Sequence, residues 1–584
     1  MRKLVSSGIK TGRASGLRAQ ARFGLLAACM VQGVVPVGLA VTLTTSLVAC
    51  ADENDPKTWV KRLDDPAQRA GAIKRLSQFF EDAMTDSGKK RTDPKVMAVL
   101  DVIVDPLTKT YLAGNLDDKT RVELVKSLAD MQDQRTAPAL AKAFNDFEPG
   151  KNDDDVRYAA DGVSQLAKLG KATDPAMIEA LWKCFVKFQP SKAKSINLVT
   201  NLHNAVLAVK SPTYGPGAVA MLAAPVDVNS TDSQLDQLQF WQMTAIQVIK
   251  DLKFAPAAKP LVKVLLTPTK GDLRATANAA ILAIAKDAEP VLISALNNTD
   301  PDLGKMASDM PDKAGIAVLS DSISWLSRPA GKAALLAELP NADTDTNRTV
   351  IAQSLTRYPA KADITQALLA TYKQLPPDAK LKTPSEPFAR PVLAQVTASL
   401  YDTSLTSWVT KEVTAAKGDE GASMQVFGLE AAVKLMTKAQ EKEVGDAVMK
   451  FWAPKEQELY KAAAAVVDKC NADASCYVKV LDQPISEAPA SSMAAVKACW
   501  MAAVYGNDQT KKDLVAHVEK VTEPAARLAL VEAIDHLAPN GDNATADALD
   551  KIVASDEATG NKDLMAGDDA VVKVSQRLRA RANP

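Results

Sequence analysis

From residue 56 onward, apolar side chains return at intervals of three and four, and short polar runs separate one such stretch from the next. Leu273, Ala277, Ile281 and Ile284 fall four, four and three positions apart, and Ala526, Leu530, Ile534 and Leu537 repeat those intervals. A spacing near 3.6 puts each set on one stripe of a helix. The segment 117–146, DDKTRVELVKSLADMQDQRTAPALAKAFND, therefore predicts a helix, a polar turn and a second helix. Segment 271–300 repeats the plan almost in register, and 64–80, 152–185, 236–266 and 522–553 follow it more loosely. Asp or Asn heads many connections, as helix caps do, and Pro138, Pro175 and Pro290 fall near the expected start of the next helix. Alternating strand patterns are rare and short. The class is all-α.

The recurring unit has a signature. An acidic residue near a helix start precedes a basic residue and alanines: Asp155 and Arg157 before Ala159-Ala160, and Asp272 and Arg274 before Ala275 and Ala277. Arg527 with Ala529 repeats the basic half, and Arg121 fills the equivalent place in the 117–146 copy without the alanine pair. This pattern resembles the HEAT-repeat family and its armadillo and HEAT-like lyase cousins. The resemblance implies an α-solenoid of stacked antiparallel helix pairs, in which these Asp and Arg side chains form structural ladders between neighbouring repeats. A two-helix unit cannot bury its apolar face alone and must stack on a neighbour, and a period of about 40 residues gives roughly a dozen units.

The match is good across roughly 56–300 and again across 520–555, and the register is lost through 300–515. Residues 374–390, within KQLPPDAKLKTPSEPFARP, contain four prolines and are read as a break between a first repeat segment, 58–373, and a second, 391–584. The charged helix near the end of the second segment is expected to cap the stack.

The first 49 residues follow a different rule. They hold six basic residues and no acidic one, then an uncharged run from Phe23 to Val48. A basic stretch, an apolar stretch and small residues before a cut describe a secretory signal. Leu47-Val48-Ala49-Cys50 resembles the bacterial lipobox, whose cysteine thiol takes a diacylglyceryl group and becomes residue one of the mature chain. LAAC at 26–29 matches too, but only three uncharged residues precede it and an apolar run follows. The resemblance implies a signal peptide at 1–49 and a lipidated tether at 50–57. With Ala51 and not aspartate after Cys50, it further implies the outer membrane, facing the periplasm. An uncleaved spanning helix over 23–48 is the competing reading, since 26 uncharged residues can cross a bilayer.

Composition narrows the partners. The chain has 70 basic and 70 acidic residues; removing the six N-terminal cations leaves 64 against 70, a net charge of −6. That argues against the broad basic face a nucleic-acid binder needs. In an exported chain disulfides are allowed. Four cysteines beyond Cys50 permit three pairings; the short polar connection between Cys470 and Cys476 favours that pair, with Cys184 and Cys499 reduced and buried.

Catalytic signatures are sparse. His203, His517 and His536 show no metal-ligand spacing, and no nucleophile elbow, phosphate loop or dinucleotide fingerprint is present. The aspartates at 153–155 suit a helix start better than a calcium loop. No cofactor, metal or small-molecule substrate is expected. The solenoid resemblance implies a non-catalytic scaffold that binds protein on its concave face; an enzyme of HEAT-like lyase type is the alternative class.

Overall fold

The computed structural model describes residues 52–187, 196–225, 231–359, 361–377, 387–560 and 562–582. Signal peptide, lipobox and Cys50 lie outside these residues, as does the middle of the Pro-rich 374–390 stretch. The described chain is all-α, with helices and short 3-10 turns and no strand among the described residues. None of these helices is long and apolar enough to cross a membrane.

Packing is local in sequence. Each helix rests on its immediate neighbour, and alternate helices pack side by side: Asp118–Met131 on Asp153–Lys168, that on Ile196–Val209, and so on toward Pro524–His536 and Asp568–Ala582. The predicted stripes are where the core is: Leu273, Ala277, Ile281 and Ile284 are all buried, as are Ala526, Leu530 and Ile534. Small residues let the layers approach. A Cβ on Gly162 would lie 2.8 Å from the Ala129 Cβ, so these two neighbouring helices meet almost backbone to backbone.

Helix starts follow the caps. Asp117 accepts from the Thr120 amide, Asp300 from Leu303 and Asp542 from Thr545. Proline occupies the first turn at Pro94, Pro175, Pro329, Pro489 and Pro524. Pro290 is an exception to the sequence reading. Its helix already begins at Ala285, after a local break at Ile284 (φ −118°, ψ 33°), so the proline sits inside Ala285–Leu296. Packing of Ala288 and Leu292 into the core holds that short helix together despite the missing amide.

Through 300–515, where the sequence register fades, helix pairs continue from Pro301–Ser308 to Pro489–Tyr505. One irregularity is a short hairpin: Cys470, at the end of Pro454–Cys470, is disulfide-bonded to Cys476 in Ala474–Val480. Cys184 and Cys499 are free and buried, and burial pushes both thiols far up, which keeps them protonated.

Candidate functional site: a cleft closed by the last helix

Helices from Gly315–Leu326 to Asp568–Ala582 turn one face toward a common interior, and these two terminal members touch each other. Trp325 is the meeting point. Arg357 lies 4.2 Å from its ring centroid, and Lys573 and Arg577 approach to 5.1 and 5.2 Å. Cations over an indole face are held by its quadrupole. The Trp325 Nε1 donates to Asp321 Oδ2 at 3.3 Å, which fixes the ring. Contacts between residues some 250 positions apart thus fasten the second half of the chain around a cleft.

The cleft has two compartments. One, of about 760 Å³, is lined by five basic side chains, Arg357, Lys361, Lys573, Arg577 and Arg581, against three carboxylates, Glu532, Asp535 and Asp569. The other, of about 490 Å³, is lined by apolar groups, among them Leu459, Met493, Val496 and Trp500, together with the Lys434–Glu430 ion pair. Gln353, Thr356, Ser399, Leu528 and Glu532 line both and form the neck between them.

Most of the charge is committed. Asp535 accepts from Arg577 Nη2 at 3.0 Å and Nε at 3.2 Å, and Arg581 binds its other oxygen. Burial alone would raise the Asp535 carboxyl, but Arg577, Arg581 and Lys361 outweigh it and hold it below the usual range. Arg357 Nη1 donates to Asp321 Oδ1 at 2.6 Å. Lys361 Nζ has no carboxylate at that range; it donates to the Thr356 and Ser399 carbonyls at 2.5 and 3.2 Å, and burial pushes it down to about 8.

Two groups are not committed. The Glu532 carboxylate has no hydrogen-bond or ion-pair partner among the described residues, and burial raises its pKa. The Tyr401 hydroxyl is buried without a partner. Its ring is stacked between His536 at 4.2 Å and Trp500 at 5.4 Å, and its backbone adopts φ +56°. A left-handed conformation is costly for so bulky a residue and persists only where the surroundings over-determine it. Burial, with help from Lys361, lowers His536 to about 4, so the imidazole is neutral.

The sequence-derived site residues are distributed differently. Arg121 Nε reaches Asp155 Oδ1 at 2.9 Å, joined by the Tyr111 hydroxyl at 3.0 Å, which ties successive repeats. Arg527, 1% exposed, donates to Asp556 at 2.8 Å, Asp568 at 2.9 Å and the Leu564 carbonyl at 3.0 Å. Three other expected ladder members do no such thing. Arg157 turns back to Asp154 within its own first turn, at 2.9 Å. Arg274 Nε caps the Leu265 carbonyl at 3.0 Å, and Asp272 is exposed. In one copy the helix's own first turn, and in the other an earlier helix end, offers the partner.

Sequence reading also missed a recurring device. Lys270 Nζ donates to the Leu222 and Ala224 carbonyls at 2.6 and 3.1 Å, and Lys497, fully buried, to those of Val433, Lys434 and Met436 at 3.0, 2.8 and 2.6 Å. Helix C-termini leave carbonyls unpaired at the negative end of the dipole, and an ammonium from elsewhere in the fold satisfies them. The signal was visible in AAVKACWMAA, a single lysine inside an otherwise apolar helix.

No protein-family model and no curated protein matches the chain.

Proposed function

We propose that the chain is a lipid-anchored HEAT-like α-solenoid of the bacterial envelope, held at the outer membrane through Cys50 and acting as a non-catalytic scaffold. Its cleft receives a segment of a protein partner. The observation that carries this reading is the neck: Leu528, 47% exposed although large and apolar, stands beside the unpartnered Glu532 where two compartments join. Exposed apolar area next to an unsatisfied acceptor is what a bound segment covers. The cleft's arginines, its lysines and Asp535 are tied to each other, to neighbouring carboxylates or to backbone carbonyls, which suits recognition.

The anchor is tested by metabolic labelling with a palmitate analogue: wild-type chain takes the label and fractionates with outer membrane, and Cys50→Ala does neither. Labelling of the Cys50→Ala chain would exclude the anchor. The scaffold is tested by placing a photo-crosslinking amino acid at Leu528 in the full chain in cells. A defined protein adduct is expected there and not at Met97, which is exposed but remote from the cleft lining. Equal adducts at both positions, or none at 528, would remove the cleft as the partner site.

A further inference from the structure

We infer that the segment held by the cleft is a short extended peptide carrying an acidic side chain for the basic compartment and a bulky apolar one for the compartment at Met493 and Trp500. This rests on the scaffold reading above and gives the partner its chemistry. Three observations lead to it.

Charge comes first. The larger compartment carries more cations than carboxylates, and three of those cations, from Arg357, Lys573 and Arg577, crowd one indole ring within about 5 Å. Gathering like charges in a partly desolvated space is unfavourable, and an incoming carboxylate relieves it. Lys573 is the available member: its partner Asp569 is exposed, and an exposed pair of this kind is weak.

Polarity along the cleft comes second. The second compartment sets Leu459, Met493, Val496 and Trp500 beside a single Lys434–Glu430 ion pair, so it offers an occupant more apolar surface than the first. Both volumes, about 760 and 490 Å³, fall in the range that ligand sites of molecular size occupy.

The neck comes third, and it selects peptide over lipid. An anionic amphiphile would match the two ends equally well. Its alkyl chain would then run past Glu532 and the Gln353 amide and leave both without a donor. A peptide backbone brings an N–H and a C=O with every residue and alternates its side chains to opposite sides, so it can satisfy the neck while filling both compartments.

Fluorescence anisotropy on the full chain in detergent tests this with three probes. They are a labelled octapeptide alternating glutamate with leucine and phenylalanine, the same peptide with lysine for glutamate, and laurate as competitor. The acidic peptide is expected to bind, to weaken at least tenfold in the Lys573→Glu chain and at raised salt, and to lose affinity in Met493→Asp. Lys573 is 42% exposed, and circular dichroism checks that the variant keeps its helices. Equal binding of the lysine peptide, or indifference to Lys573→Glu, would overturn the charge assignment. Laurate binding without peptide binding would overturn the peptide. If a protein adduct forms at Leu528 while the acidic peptide fails to bind, this inference falls and the scaffold stands; if no adduct forms, the cleft itself falls as the partner site.

Discussion

At the scale of single residues, the structure depends on cations in apolar places. Arg527 neutralises Asp556 and Asp568 together, and both carboxylates are largely buried. Removing the guanidinium strands two buried charges, so Arg527→Met is expected to lose about 3–5 kcal/mol in denaturant unfolding. An unchanged midpoint would mean the triad is not a stabilising unit. His536 gives a pH dependence. Its folded pKa, about 4, lies below the unfolded value near 6.5, so the unfolded chain takes the proton first as pH falls. Its contribution is therefore complete above about pH 6.5 and is lost between 6.5 and 4, at most about 3 kcal/mol. His536→Phe keeps a ring against Tyr401 and should flatten the thermal melting temperature over that interval. Such residues were only half legible. A lone basic residue in an apolar helix signals burial, but sequence does not say whether a carboxylate or a carbonyl receives it, which is why Arg157 and Arg274 were misplaced as ladder members and Lys497 was overlooked.

Elements were the most legible level, because helical periodicity and caps are local. The stripe through Ala277 and Ile281 needs no distant partner to be seen. Element boundaries failed where packing overrode local preference, as with Pro290 inside its helix. The close approach of Asp118–Met131 and Asp153–Lys168 makes a sharp prediction. Gly162→Leu forces these helices apart and should cost about 1–3 kcal/mol. Gly71→Ala, in the first turn of Arg69–Asp86 with open space around it, should gain less than about 1 kcal/mol from helix propensity. Paired melting curves check both signs. If the two substitutions behave alike, interhelix distance is not what the glycine serves.

For the whole molecule, almost nothing about the cleft was readable. Its lining comes from helices spread over more than 250 residues, and no periodicity links Trp325 to Lys573 and Arg577. Closure rests on contacts between residues far apart in the chain, which leave no local motif. Trp325→Ala should loosen it. Spin labels at Ala330→Cys and Lys562→Cys are expected to show a broader distance distribution in that variant, with helicity unchanged. An identical distribution would mean the neighbouring helix contacts suffice.

That closure also changes when the cleft comes into being. A stack of repeats can fold progressively as it is made, each unit settling on the one before. The basic wall, however, is supplied by Asp568–Ala582, the final helix described, through Lys573, Arg577 and Arg581. A nascent or truncated chain can therefore assemble most of its repeats and still present no complete receptor. On the proposed scaffold reading, the binding face therefore forms only when Asp568–Ala582 has docked.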